Sequence, residues 1–306
     1  MSSTVAVIGA GTIGRSFAYL FARSGCSVRV FDPREDLGEV VAGLQAVVTA
    51  DASARNQVAS QIGTVEESET VEAAVDGASF VQESGPEDAG AKPELFARIA
   101  EAADAEAVLA TSSSTFPASS IAEHLDAEAA ARVLVGHPFN PPHLMPLIEV
   151  VPSPVTSSAA IEAAVEFYRG CGREPVVIRK EIRGFVGNRL QNALMREAIS
   201  LVQNGVVSAP ELDAVMRNSL GLRWSAVGQF EGMHFGGGEA GIRGFMDHIG
   251  PAFAAIEDLP VDVDPAAMEE VFEQVEQAYG QSPTAEAAAT RDRIQRAVLD
   301  ARGQDH

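Results

Sequence analysis

The chain opens on four consecutive apolar residues, Val5-Ala-Val-Ile8, that run into glycines and then into a stretch with helical spacing. A short apolar run bounded by turn residues fits a strand buried on both faces of a parallel sheet. The same signature returns at Val28-Arg-Val-Phe31, Ala78-Ser-Phe-Val-Gln82, Val108-Leu-Ala110 and Val133-Leu-Val135. Helices are expected between these runs, over 35–61, 93–103 and from 119, with an acidic helix over 66–75. This alternation predicts an α/β, doubly wound sheet with ligands at the carboxyl ends of its strands. Leu147-Ile-Glu-Val-Val151, a helix over 158–168 and Pro175-Val-Val-Ile-Arg179 extend the domain to residue 180.

From 181 the pattern becomes helical. A long periodic helix is expected over 185–201, another from Glu211 after Pro210, and others over 240–248, 265–278 and 285–299, with no strand among them. The expected organisation is a sheet domain over 1–180 and a mainly α-helical domain over 181–306. Gly236-Gly-Gly238 and Leu259-Pro-Val-Asp-Val-Asp-Pro265 read as loops. Glu269, Glu270, Glu273 and Glu276 read as a solvated helix face.

The turn after the first strand has specific chemistry. Gly9, Ala10, Gly11, Thr12, Ile13 and Gly14 form Gly-x-Gly-x-x-Gly between a strand and a helix, and Asp32 ends the second strand 18 residues after Gly14. That is the Rossmann-type dinucleotide fingerprint: Gly9 for the tight turn, Gly11 for approach of the pyrophosphate, Gly14 for close helix packing. Phosphates would rest on amides at the helix N-terminus, where the macrodipole favours negative charge. Asp32 can accept hydrogen bonds from the adenosine ribose and would repel a 2′-phosphate, which favours NAD over NADP. Arg34 weakens that preference, because an arginine there can pair with a phosphate. FAD, or a turn with no ligand, are the other readings of the same residues.

Composition narrows the setting. The 306 residues are 46% hydrophobic and 6% aromatic, an ordinary α/β balance with room for two domains. No apolar run reaches membrane-spanning length and the N-terminus enters a strand within four residues, so neither a membrane span nor a secretory signal is expected. The formal charge of -21, with Lys92 and Lys180 the lysines, argues against nucleic acid as a partner. Cys26 and Cys171 lack metal-ligand spacing and read as buried reduced thiols rather than a disulfide, consistent with the cytoplasm. No Cys or His cluster for a metal is visible.

Polar residues stand at three strand ends. Glu83 follows the strand ending at Gln82, Thr111-Ser-Ser-Ser-Thr115 follows the fourth strand, and Gly136-His137-Pro-Phe-Asn140 the fifth. A histidine there suits proton transfer, since its ordinary pKa allows both states near neutrality; a structural histidine is the alternative. Glu149 lies inside an apolar strand, where a carboxylate is costly unless paired. Pairing with His137 would satisfy it and fix the imidazole tautomer; a solvent-facing edge position would also accommodate it. Asn188, in Gly184-Phe-Val-Gly-Asn-Arg-Leu190, opens the helical domain and can either reach a substrate or bond to neighbouring backbone.

Taken together, these segments resemble the 3-hydroxyacyl-CoA dehydrogenase superfamily, in the branch containing lambda-crystallin, L-gulonate 3-dehydrogenase and L-carnitine dehydrogenase. The resemblance rests on Gly9 to Gly14, Val81-Gln-Glu-Ser-Gly-Pro-Glu-Asp88, the stretch from His137 to Glu149, and Gly184 to Leu190. It implies NAD as cofactor, His137 as the catalytic histidine with Glu149 orienting it, Ser114 and Asn188 contacting substrate, and Glu83 and Lys92 near the nicotinamide ribose. It also implies a homodimer whose helical domain covers the substrate cleft. Segment 219–234 resembles the gulonate and carnitine branch, so Arg223 is a candidate for a substrate carboxylate and Trp224 for a pocket wall, with surface or interface roles as alternatives. A compact, acidic segment between Asp32 and Glu83 favours a small free 3-hydroxy acid such as L-gulonate. L-Carnitine, a 3-hydroxyacyl-CoA thioester and a non-catalytic use of the fold remain open.

Overall fold

The computed structural model describes residues 3–54 and 61–303. Its first unit carries an eight-stranded sheet. The strands are β1 (Thr4–Ile8), β2 (Ser27–Phe31), β3 (Val65–Glu67), β4 (Phe80–Glu83), β5 (Val108–Thr111), β6 (Val133–Pro138), β7 (Leu147–Pro152) and β8 (Glu174–Val177). They are ordered β3-β2-β1-β4-β5-β6-β7-β8. All neighbours pair in parallel except β6 and β7, which are antiparallel. Strand order reverses between β1 and β4, the switch point at which doubly wound sheets hold ligands.

Both faces of the sheet are buried, which is why its strands read as unbroken apolar runs. Val5 and Val7 belong to one core with Phe17, Leu20 and Phe21 of α1 (Thr12–Arg23) and Tyr168 of the helix Ser158–Gly170. Ala6 and Ile8 point the other way, into a core with Phe96, Ile99 and Ile121. Phe21 is fully buried, and its loss to alanine would cost about 3–5 kcal/mol.

One expectation needs correction here. The acidic helix over 66–75 is an edge strand, β3, followed by a five-residue helix, Val71–Val75. Val65 pairs with Val28 of β2 and is buried while Glu66 and Glu67 are exposed; Thr70 then accepts a hydrogen bond from the Ala73 amide and caps the helix. The long helix after β2 is described over Leu37–Ala54, and its expected continuation through 55–60 lies outside the described residues. Cys26 and Cys171 are both free and buried.

A second compact unit opens at Asn188. Its main helices lie over Gly187–Gln203, Ala209–Asn218, Leu220–Trp224, Gln229–Gly236, Gly241–His248, Glu269–Tyr279 and Ala285–Ala301. The helix at Ala209 begins on a capping box in which Ser208 and Glu211 satisfy each other's amides. Gly236 ends a helix, and Gly238–Ala240 forms a 3-10 turn rather than open loop. Leu190, Leu194, Leu222, Phe230, Phe235 and Phe253 are exposed in this unit. No helix among the described residues is long and apolar enough to cross a membrane.

Candidate active site

The turn after β1 is built tightly. Gly9 sits at φ 106°, and a Cβ on it would fall 2.7 Å from the Ser84 backbone; on Gly14 a Cβ would collide with the Gly9 carbonyl. Gly11 is different, since a Cβ there would meet nothing within 4 Å. The small residue leaves an open approach to the N-terminus of α1, which has neither a side-chain cap nor an acidic residue in its first turn. Those features fit a pyrophosphate. Asp32 closes the arrangement, with Oδ2 accepting from the Ala10 amide at 2.7 Å and Oδ1 from the Arg34 amide at 3.1 Å. Each oxygen keeps a lone pair for a ribose hydroxyl. Arg34 is engaged with Asp36 and with the Ala10 carbonyl, which weakens its claim on a 2′-phosphate.

The same sheet carries two buried carboxylates, one on β4 beside β1 and one on β7. Glu83, which is the last residue of β4 rather than the first of the following loop, is 1% exposed. Lys92 Nζ donates to both its oxygens at 2.9 and 2.8 Å, Thr111 Oγ1 to Oε2 at 2.6 Å, and the Gly85 amide to Oε1 at 2.7 Å. The second is Glu149. Antiparallel pairing of β6 and β7 sets His137 directly opposite Glu149, and neighbours so paired project to the same face. His137 Nδ1 lies 2.8 Å from Glu149 Oε2, and the other oxygen accepts from the amides of Val186 and Gly187 at 2.9 and 3.0 Å. Burial pushes the Glu149 carboxyl up, but His137 and the two amides outweigh it, and the net shift is downward. The group is therefore anionic at neutral pH and accepts from Nδ1, which in the neutral imidazole leaves Nε2 as the acceptor.

Nε2 faces Ser114 Oγ at 3.1 Å. Phe139 and Phe185 flank the imidazole with ring centres 5.8 and 5.3 Å away. The structure thus brings His137, Glu149 and Ser114 together in one unit. Asn188, Arg223 and Trp224 belong to the second unit, where Trp224 Nε1 donates to Gln229 Oε1 at 3.0 Å. Among the described residues no group of three or more His, Cys, Asp or Glu could hold a metal ion.

The model for the 3-hydroxyacyl-CoA dehydrogenase NAD-binding domain matches residues 4–182, and that for the C-terminal domain of the same enzymes matches 184–299. The chain belongs to the 3-hydroxyacyl-CoA dehydrogenase family. As a member of it the protein is an NAD-dependent oxidoreductase acting on 3-hydroxy acids in the general sense. Relatives include an L-carnitine dehydrogenase of Streptomyces griseus, 36% identical over 98% of this chain and 90% of that protein, and a 3-hydroxyacyl-CoA dehydrogenase of Gibberella moniliformis, 38% identical over 83% and 80%. Among solved structures, 5-formyl-3-hydroxy-2-methylpyridine 4-carboxylic acid 5-dehydrogenase, an NAD+ dependent dismutase, superposes with a TM-score of 0.79 at 26% identity over 99% of this chain and 98% of that one.

Glu87 is a residue that the sequence reading passed over. Its carboxylate accepts from Ser113 Oγ and from the Ser114 amide, both at 2.8 Å, and its side chain is 41% exposed. It anchors the loop that presents Ser114 to His137. A signal was available, since Glu87 follows Gly85-Pro86 beyond a strand end, but nothing in that spacing separates it from Glu83.

Proposed function

We propose that this chain oxidises the 3-hydroxyl of a small free 3-hydroxy acid to the 3-keto acid, reversibly, with His137 as the general base. The observation that carries this reading is the buried His137–Glu149 pair, with Nε2 turned toward Ser114. NAD, held by Gly9 to Gly14 and by Asp32, supplies the hydride acceptor when bound. His137 Nε2 takes the hydroxyl proton during oxidation and returns it to the carbonyl oxygen in reduction. Glu149 fixes the tautomer and stabilises the imidazolium that forms. Ser114 donates to the reacting oxygen, and Asn188 is proposed to do the same from the helical domain, both strengthening as alkoxide character grows. Glu83 and Lys92 hold the strand end and loop on the nicotinamide-ribose side, with Glu87 carrying the exposed carboxylate there.

The domain assignment follows the same division, with NAD bound within 1–180 and substrate and dimer contacts in 181–306. Exposed apolar side chains such as Leu190, Phe230 and Phe253 support a homodimer. A cytoplasmic setting agrees with the two free thiols.

An L-gulonate-like acid is the first substrate reading, supported by the acidic, compact segment after Asp32. A second, L-carnitine, is favoured by the relatives of that name from Streptomyces griseus and Burkholderia mallei, 36% and 39% identical. Arg223 would then meet the substrate carboxylate, and Trp224 would face the trimethylammonium group. The test is NADH formation at alkaline pH with L-gulonate, L-3-hydroxybutyrate, L-carnitine and L-3-hydroxybutyryl-CoA. Turnover of a free acid is expected; turnover of the thioester alone would overturn the free-acid reading.

A further inference from the structure

Two successive residues before the second unit have left-handed backbone, Gly184 at φ 78° and Phe185 at φ 48°. Among the described residues Phe185 is the one non-glycine with positive φ, a conformation in which Cβ crowds its own backbone. It is held there by burial, being 2% exposed, and by its amide, which donates to the Ile182 carbonyl at 2.9 Å. The turn aims the next two amides, of Val186 and Gly187, at one oxygen of Glu149. Successive amides converging on an anion make a nest. Gly187 has to be small, because a Cβ on it would fall 2.3 Å from the Phe139 ring.

We infer that the Gly184–Gly187 turn is a built carboxylate nest that sets the proton affinity of His137 through Glu149, making Gly184 and Phe185 positioning residues for the proposed reaction. Each amide that binds Oε1 withdraws charge from the carboxylate and so weakens its pull on the imidazolium across Oε2. The nest therefore moderates the histidine: with the amides in place Glu149 is a weaker partner than a bare buried carboxylate would be. Among the described residues, Glu87 reaches the pair through Ser114, and Lys92, bonded to Glu83, lies 4.0 Å from Glu87. Neither touches Oε1, so the amides are the contacts by which the turn acts. This inference rests on the proposed role of His137.

The sharpest test replaces Val186 with its α-hydroxy acid, exchanging one N–H for an ester oxygen without changing the side chain. The imidazole titration of His137, followed by NMR, and the acid limb of kcat/KM should both move to higher pH by about half to one unit, with NADH affinity unchanged. Gly184→Ala should move both in the same direction, because a Cβ is strained at that φ. A titration that stays fixed in the ester and in Gly184→Ala would overturn the inference. If no hydroxy acid were turned over, the proposed reaction would fail, and the NMR titration would still decide whether the nest tunes His137.

Discussion

Glu83 and Glu149 are both carboxylates at 1% exposure on strands of one sheet, and both are fully hydrogen-bonded, yet their partners give them different work. Glu83 faces the Lys92 side-chain nitrogen, with Thr111 and the Gly85 amide completing its shell. Glu149 faces the imidazole of His137, a group built to take up and release a proton, and its remaining donors are backbone amides that cannot titrate. A carboxylate closed in by Lys92, a hydroxyl and an amide holds structure. A carboxylate paired with an imidazole can support proton transfer, the role proposed for Glu149.

Substitutions can break that comparison. His137→Ala should lower the rate of NADH formation by about 10²–10⁴-fold while NADH binding by titration calorimetry is retained; loss of binding with an intact rate would remove His137 from the role of base. Lys92→Met leaves Glu83 buried without its cation and should destabilise the fold by about 3–5 kcal/mol in denaturant unfolding. The surviving folded enzyme should keep its pH profile, and a shifted profile would mean that the two pairs are not separate. Asp32→Ala should weaken NAD binding about tenfold, near 1.4 kcal/mol, and relax discrimination against NADP; equal affinities in parent and variant would reject the ribose contact.

The smallest effect concerns acid stability. The Glu149 carboxyl is shifted downward in the folded state, so its contribution is fully present above the unfolded carboxyl range near pH 4.3 and is lost as pH falls through the lower folded value. The stability deficit of Glu149→Gln relative to the parent should accordingly narrow below about pH 4. A deficit that is constant from pH 7 to pH 3 would show that the ionised form is not what the fold stabilises.

How far the sequence carried depends on whether side chains or backbone held the information. Val5 to Ile8 and Leu147 to Val151 announced buried strands because both faces of the sheet are covered, and Gly9 to Gly14 announced the turn because each small residue answers a particular steric demand. β3 was illegible for the converse reason: at an edge, only Val65 of its three residues is buried, and Glu66 and Glu67 mimic a solvated helix. Glu83 and Glu87, four residues apart, could not be told apart until the strand was seen to run through Glu83 and bury it. The short helices Leu220–Trp224 and Gln229–Gly236 went unread because neither carries a buried stripe. The donors to Glu149 Oε1 left no trace in composition at all, since an amide belongs to every residue and the turn that aims these two depends on the φ of Phe185.

The direct test of the central claim is the pH dependence of kcat/KM for NADH formation in the parent and in Glu149→Gln. Oxidation needs His137 unprotonated, and the Glu149 anion favours its protonated form, so removing that charge should shift the acid limb to lower pH and lower the plateau. An acid limb that stays in place when Glu149 loses its charge would contradict the assignment of the His137–Glu149 pair as the proton-transfer machinery.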